Sequence, residues 1–244
     1  MTQRSLLAGQ TPTVVVRANG TVTVEGWESD RIQAESDNSR GLQIEKRKVT
    51  DIGRERARAM VGERVLFDIA IDNPFNRARR DLKDVQGEAI EVQLSSNSQV
   101  RVPLGSHLSV YAGRSAEVRH LQGRVTATAG HHLRVRDVQV LAHAAAGGDL
   151  DIECATLAGD EFKFGAGRDL RFYVRELADA RVMINEAGTY WEVVLGSGRL
   201  KVRLNAGGAI TLITDQEVQP QPPHYMLGNI ERPATAPTES APQN

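Results

Sequence analysis

The stretch AAGGDLDIECATLAGDEFKFGAGRDLRFYV, residues 145–174, contains the pattern that decides the fold. One or two glycines precede a short polar step, and an apolar–polar–apolar triplet follows, first at residues 150–152 and again at 170–172. Alternation with a period of two is typical of a β-strand with one buried face, and the glycines are typical of tight turns. The stretch therefore predicts short strands joined by turns, with no helix between them.

The same unit recurs along the second half of the chain. Its triplets begin at Leu108, Leu133, Leu150, Leu170, Leu200 and Ile210, each after a glycine, at intervals of 25, 17, 20, 30 and 10 residues. These intervals argue against a strict repeat array, but they fit a solenoid whose turns carry loops of different lengths. We expect an all-β chain, a single-stranded β-solenoid of short strands separated by glycines, which occupies residues 12–215.

Asp149, Asp151 and Glu153 occupy alternate positions, as carboxylates that bind a metal ion or cleave a glycosidic bond would. Successive side chains of a strand point to opposite faces, so burial of Leu150 and Ile152 would turn these carboxylates to solvent. Aligning the triplets as stacked strands gives a charge ladder of Arg134, Asp151, Arg171, Arg136 and Glu153. Opposite charges on adjacent strands help to set register. We favour this ladder over a metal site or a glycosidase-like pair, and we assign no catalytic residue.

The N-terminal part of the chain favours a hairpin. Two alternating segments, residues 14–17 and 21–25, flank Asn19-Gly20, a dipeptide typical of two-residue hairpin turns because both residues tolerate a positive φ. Val14, Val16, Val22 and Val24 would share its buried face. Residues 1–11 are assigned to a lead segment ahead of the domain.

Residues 46–83 form a charged insert with 11 basic and six acidic residues, a local charge of 11 − 6 = +5. Such a segment is typical of a solvated excursion from the fold. It also suits a docking patch for an acidic partner, and the side chains assigned to that patch are Arg54, Arg56, Arg58, Arg77, Arg79 and Arg80.

The C-terminal segment is rich in proline. Residues 216–231 include HYMLGNI, which is apolar enough to cover the last turn of a solenoid, and they are assigned to an end cap. Residues 232–244 combine proline with small polar residues, so we expect a disordered tail.

Composition restricts the classes of partner. The chain has 30 basic and 31 acidic residues, so its overall charge favours neither nucleic acid nor a membrane surface. No apolar run is long enough to span a bilayer, and we see no signal-peptide pattern. With Cys154 as its one cysteine, the chain fits a reducing compartment, so we expect a cytoplasmic location.

Histidine and cysteine patterns do not indicate a cofactor. Five histidines lie close in sequence, but none forms a compact set of metal ligands; they are His107, His120, His131, His132 and His143. Cys154 alternates with Ile152, so we expect a buried thiol. We therefore predict no metal and no cofactor.

Three patterns outside the opening stretch carry a family resemblance. They are VVVRANGTVTVEGWESDRIQAES near the start, VRVPLGSHLSVYAG at residues 100–113, and YWEVVLGSGRLKVRLNAGGAITLIT at residues 190–214. With the repeats between them they resemble the bacterial adhesin-like domain of unknown function, which recurs beside envelope-stress and phage-shock-type regulators. The resemblance implies a β-solenoid, and it brings no agreed activity and no catalytic residues.

From these observations we expect a non-enzymatic structural scaffold or protein-interaction module in a bacterial cell. It would meet a protein partner, or associate with itself through strand edges or the ends of the solenoid. The alternatives are a regulatory or ligand-binding module that docks an acidic partner through the insert and, less favoured, a polysaccharide-active β-helix enzyme.

Overall fold

In the computed structural model of the chain, the described residues form seventeen strands of one large mixed sheet, which does not close into a barrel. The structure describes residues 2–38, 41–48, 88–157, 161–177, 179–195 and 197–214. No α-helix occurs in these ranges, and the all-β prediction is confirmed. The strands are β1 Thr2–Leu7, β2 Thr13–Ala18, β3 Val22–Trp27, β4 Arg31–Ser36, β5 Gln43–Lys48, β6 Glu88–Leu94, β7 Ser98–Pro103, β8 His107–Ala112, β9 Ala116–Ala129, β10 Leu133–Ala146, β11 Leu150–Thr156, β12 Glu161–Ala166, β13 Leu170–Glu176, β14 Ala180–Glu186, β15 Thr189–Val194, β16 Leu200–Ala206 and β17 Ile210–Thr214.

The strands form two stacks, each a series in which every strand is hydrogen-bonded to the next. The first stack runs β5–β6–β2–β8, continues through the second halves of β9 and β10, and ends β12–β16–β14–β15. The second stack runs β1–β4–β7–β3, continues through the first halves of β9 and β10, and ends β11–β13–β17. Pairing inside both stacks is parallel, and antiparallel pairs occur towards their ends.

The two longest strands, β9 and β10, join the stacks because each bends and contributes to both. His120 in β9 and Asp137 in β10 adopt φ values of 57° and 48°, in the left-handed region that few non-glycine residues occupy. The register of β10 shifts next to Asp137, as it does at a β-bulge. The bulge turns the chain from one stack into the other without ending the strand.

Aligned apolar columns build the core. In the second stack Leu133 pairs with Leu150, Leu150 with Leu170, and Leu170 with Ile210, and all four are almost fully buried. Leu108 and Leu200 lie in the first stack. The triplets of the sequence therefore belong to two columns, which explains their uneven intervals.

A glycine directly follows five strands that end in the first stack: β8, β9, β10, β12 and β16. A methyl group at Gly130 would overlap the carbonyl oxygen of Gly113, and Gly147 has the same relation to Gly130. The column continues through Gly167 and Gly207. Glycine is required here by the close approach of stacked turns, since none of these residues has a positive φ.

The N-terminal hairpin prediction is wrong in its pairing. The valines at 14, 16, 22 and 24 are fully buried as expected, but β2 pairs with β6 and β8, while β3 pairs with β7 and β9. Asn19 and Gly20 lack the positive φ values of a two-residue hairpin turn. Their turn carries the chain from the first stack to the second, and Gly20 packs against the backbone of the turn at Ser96 and Asn97.

The lead segment of residues 1–11 also needs correction, because most of it belongs to the sheet. Strand β1 pairs with β4 in register from Thr2 to Leu7. Its sequence alternates weakly, since the strand is held by backbone pairing at an edge and buries few side chains. Of the charged insert, residues 46–48 lie in β5; residues 49–87, the end cap and the tail lie outside the described residues.

Candidate interaction surface

The outer face of the second stack presents charges in columns. One column pairs Glu117 with Arg134, Arg134 with Asp151, and Asp151 with Arg171. Two residues further along each strand, the next column contains Arg119, Arg136 and Glu153. These positions face outward because alternate residues of the same strands fill the core. The five residues of the predicted ladder thus lie on one face of adjacent strands.

Ion-pair distances show which charges meet. Arg134 Nε lies 3.2 Å from Asp151 Oδ2, and Arg136 Nη2 lies 3.8 Å from the same oxygen. Arg136 is in register with Glu153, but its guanidinium is directed towards Asp151. The side chain of Arg134 is half exposed, so solvent screens these pairs and each contributes little to stability.

A second charged cluster lies at the turns before β11 and β13. Arg168 donates two hydrogen bonds to the carboxylate of Asp149, at 3.0 and 2.6 Å, and His132 Nδ1 lies 3.0 Å from Asp149 Oδ2. The hydrogen bond from Arg168 is the main reason that the pKa of Asp149 is lowered. Aligning the triplets at Leu133 and Leu150 places His132 beside Asp149. It gives no signal for Arg168, which occupies the turn position of Gly148 in the preceding repeat.

A buried ion cluster joins three strands of the first stack. Glu91 in β6 is 2% exposed and lies between Arg47 of β5, at 2.8 Å, and Arg17 of β2, at 3.1 Å. Two guanidinium groups compensate the burial of this carboxylate. Sequence reasoning assigned Arg47 to the charged insert and did not predict its structural role.

An open groove of about 630 Å³ runs across four strands of the first stack. Arg17 and Tyr111 lie at one end, Thr128 and Ala145 continue it, and backbone of the glycine column forms part of its lining. Arg17, Tyr111, Thr128 and Ala145 are paired in register on β2, β8, β9 and β10, and the side chains become smaller from Tyr111 to Ala145. The groove therefore results from the sequence of the repeats.

Among the described residues, two of the four terminal strands carry a large, exposed apolar side chain. Tyr190 on β15 is 77% exposed and Leu7 on β1 is 55% exposed. Strand β15 ends the first stack and β1 ends the second, at opposite ends of the stacked strands. Exposed strand edges can template pairing with another chain.

The cysteine and histidine side chains considered in the sequence analysis lie in different environments. Cys154 is buried as predicted, and burial raises its pKa to about 12. His120 Nδ1 lies 2.6 Å from Asp137 Oδ2, at the bends of β9 and β10.

Within the described residues no group of three or more potential ligands is placed to hold a metal ion. No helix in these residues is long and apolar enough to cross a membrane. The six arginines of the predicted docking patch lie outside the described residues.

Comparison with known proteins gives little information about this chain. No family model matches it, and no curated protein matches it. Among solved structures it is similar to a putative cell adhesion protein from Clostridium sporogenes, with 10% sequence identity and a TM-score of 0.35 over 87% of this chain and 98% of that chain. A likeness at this level carries no inference about family or function.

Proposed function

We propose that the protein is a non-enzymatic structural scaffold or protein-interaction module, built as a β-solenoid and able to associate with itself through its strand edges. The observation that carries the proposal is the strand pairing within the stacks: parallel strands repeat through the middle of the molecule, and one end of each stack is a strand with an exposed apolar side chain, Tyr190 on β15 and Leu7 on β1. Stacked repeats offer long flat faces and two ends, which suit assembly.

The solenoid interpretation rests on how the chain alternates between stacks. Strand β8 lies in the first stack, the first half of β9 in the second, and the second half of β9 in the first again; β10 repeats this passage. Equivalent residues of successive turns are 17 apart at Leu133 and Leu150, and 20 apart at Leu150 and Leu170. Such a path is typical of a coil with two strands per turn.

The non-enzymatic part of the proposal is supported by the setting of the carboxylates. Asp149 and Asp151 lie on an outer surface beside arginines, and the lowered pKa of Asp149 keeps it ionised. A general acid needs the opposite, a desolvated site that raises a carboxyl pKa. The cytoplasmic location stays a prediction from the sequence.

The test is absolute mass by light scattering after size-exclusion chromatography, over a wide range of protein concentration and at low and high salt. Self-association through backbone edges should raise the mass with concentration at both salts, because pairing of strand edges depends little on ionic strength. A monomer at every concentration would contradict self-association.

A second candidate function is the docking of an acidic partner through the insert, favoured by its local charge of +5. Replacing Arg77, Arg79 and Arg80 by Glu should then abolish binding of an acidic polypeptide such as polyglutamate and leave the oligomeric state unchanged. Equal binding by this variant and the wild-type chain would rule out the docking role.

A further inference from the structure

We propose that β15 is the edge through which two copies of this chain pair, antiparallel and around a two-fold axis. This inference rests on the proposed self-association and identifies its site. Four features of the β14–β15 hairpin support it: the backbone groups of β15, its sequence, its side chains and its symmetry.

Among the described residues, the backbone of β15 has one edge paired with β14 and one open edge. The N–H of Leu195 donates to the carbonyl of Ala180 at 2.7 Å, and β15 pairs with β14 in a regular antiparallel register from Val194 back to Thr189. In such a pair alternate residues bond to the neighbour, so Thr189, Trp191 and Val193 face β14. Tyr190, Glu192 and Val194 therefore direct their N–H and C=O groups to the open edge, where no described residue bonds to them.

The sequence of β15, TYWEVV, lacks the devices that protect natural edge strands. It has no lysine, proline or glycine, and five of its six residues favour strands. Its one charge, Glu192, is paired with Arg181 of β14 at 3.1 Å. Of the other three terminal strands, β1 is mostly polar and carries Arg4, β5 ends in three cations, and β17 buries four of its five residues. Only β15 combines an unprotected sequence with a side chain as exposed as that of Tyr190 among the described residues.

Side chains of the hairpin also have unused hydrogen-bonding capacity. Asn185 donates to the hydroxyl of Tyr190 at 3.3 Å, but its Oδ1 has no partner among the described residues. The indole N–H of Trp191 likewise finds none there. Buried polar groups are seldom left unpaired, so the hairpin is incompletely satisfied within the described part of the chain.

A second copy fits this edge because antiparallel pairing makes it self-complementary. With the axis at Glu192, Tyr190 lies opposite Val194 of the other copy, and all three outward residues of each edge exchange hydrogen bonds. Arg181 of each copy accompanies each Glu192 and offsets the approach of the two carboxylates. Pairing of β15 with β1 of another copy would instead build open chains, and the test separates these arrangements.

The first experiment compares masses of the full-length wild-type chain with those of Tyr190→Pro and Leu7→Lys. Proline at position 190 removes an N–H that faces the open edge and leaves the bonds to β14 in place. Circular dichroism and the thermal midpoint confirm that each variant folds. We expect Tyr190→Pro to be monomeric at concentrations where the wild-type chain and Leu7→Lys are dimers.

The outcomes distinguish this inference from the proposed function. An assembling wild-type chain whose mass is unaffected by Tyr190→Pro, or is reduced to monomer by Leu7→Lys, overturns the role of β15 and leaves self-association intact. A wild-type chain that is monomeric throughout overturns both.

Cross-linking supplies a second measurement with a matched control. Glu192→Cys places a thiol at the proposed axis, whereas Glu153→Cys makes the same change on β11, inside the second stack. The native Cys154 is 2% exposed, so it should not react in the folded chain. Under mild oxidation we expect a reducible dimer from Glu192→Cys alone. Equal dimer formation by both variants would overturn the proposed interface.

Discussion

Gly113, Gly130 and Gly147 stack so closely at successive turns that a side chain on one would meet the backbone of the next. We predict that Gly130→Ala lowers the free energy of unfolding by about 1–3 kcal/mol, the usual cost of forcing extra atoms into a packed site. Chemical denaturation measures this loss. The matched control is Gly165→Ala, where the added methyl group has nothing within 4 Å and should change stability by less than about 0.5 kcal/mol. Equal effects of the two substitutions would contradict the stacking of the turns.

Asp149 gives a prediction about pH, because Arg168 holds the pKa of its carboxyl below the ordinary value of 3.8. A carboxyl whose pKa is lower in the folded than in the unfolded chain adds stability above its unfolded pKa and loses it as the pH falls through the folded value. The thermal midpoint of the wild-type chain should therefore fall more steeply between about pH 5 and pH 3 than that of Asp149→Asn.

Arg168→Gln serves as the companion variant for the same titration, since it removes the main cause of the shift and keeps the carboxyl. Its midpoint should follow the shallower pH profile of Asp149→Asn. A profile as steep as that of the wild-type chain would show that another group carries the effect.

At single residues the sequence predicted burial well and turn type poorly. Alternation placed Val14 and Cys154 in the core, where both lie. Asn19-Gly20 resembles a hairpin turn, yet the two-residue hairpin turn occurs at Ala187-Gly188, with φ values of 47° and 86°. A glycine needed for close approach and a glycine needed for positive φ look the same in a sequence. The two kinds of glycine differ in whether the backbone of another turn, distant in sequence, packs against them.

At the scale of elements, charge columns should fix the register of β10, β11 and β13. Asp151→Lys places a third cation between Arg134 and Arg171 and should lower the free energy of unfolding by about 0.2–1 kcal/mol for each opposed pair. Denaturant titration at low salt measures the loss, which should shrink at high salt as these half-exposed charges are screened.

The matched control exchanges the charges, with Arg134→Asp and Asp151→Arg in one chain, and it should recover part of the lost stability. The enzymatic alternative predicts a different result. An Asp151→Asn chain that keeps its stability but loses a glycan-hydrolysing activity would overturn the structural role of this carboxylate.

The register of β10, β11 and β13 could be read from the sequence because their triplets are separated by only 17 and 20 residues and contain similar residues. The pairing of β13 with β17 could not be read in this way. Ile210 lies 40 residues after Leu170, since the β14–β15 hairpin and β16 intervene. In the sheet, β16 lies between β12 and β14, although it follows both in the chain. Local periodicity contains no signal for such an exchange of order.

At the scale of the whole molecule, the same reordering decides which edges are open. It places β15 at the end of the first stack, although β16 and β17 still follow it in sequence. The last triplet of the sequence, at Ile210, lies in β17 and ends only the second stack. The candidate surface therefore depends on sheet order, and neither composition nor motif could have identified it.

The charged insert gives the last prediction at this scale. Lys48 and Glu88 lie opposite each other at the ends of β5 and β6, so the 39 residues from 49 to 87 connect two points that a two-residue turn could join. We predict that replacing residues 49–87 by Asn-Gly keeps the all-β circular dichroism spectrum. The free energy of unfolding should not fall, because each halving of loop length reduces the entropic cost of closure by about 0.6 kcal/mol.

The shortened chain also separates the two candidate functions. If pairing through β15 is the function, its mass should rise with concentration as that of the wild-type chain does, since β5 and β6, the strands on either side of the replaced residues, lie at the opposite end of the first stack from β15. If docking of an acidic partner is the function, binding should be lost while the fold persists, because the six arginines of the predicted docking patch leave with the insert. Loss of the fold itself would mean that the insert is part of the domain, and it would contradict the division of the chain into stacked strands and a solvated excursion.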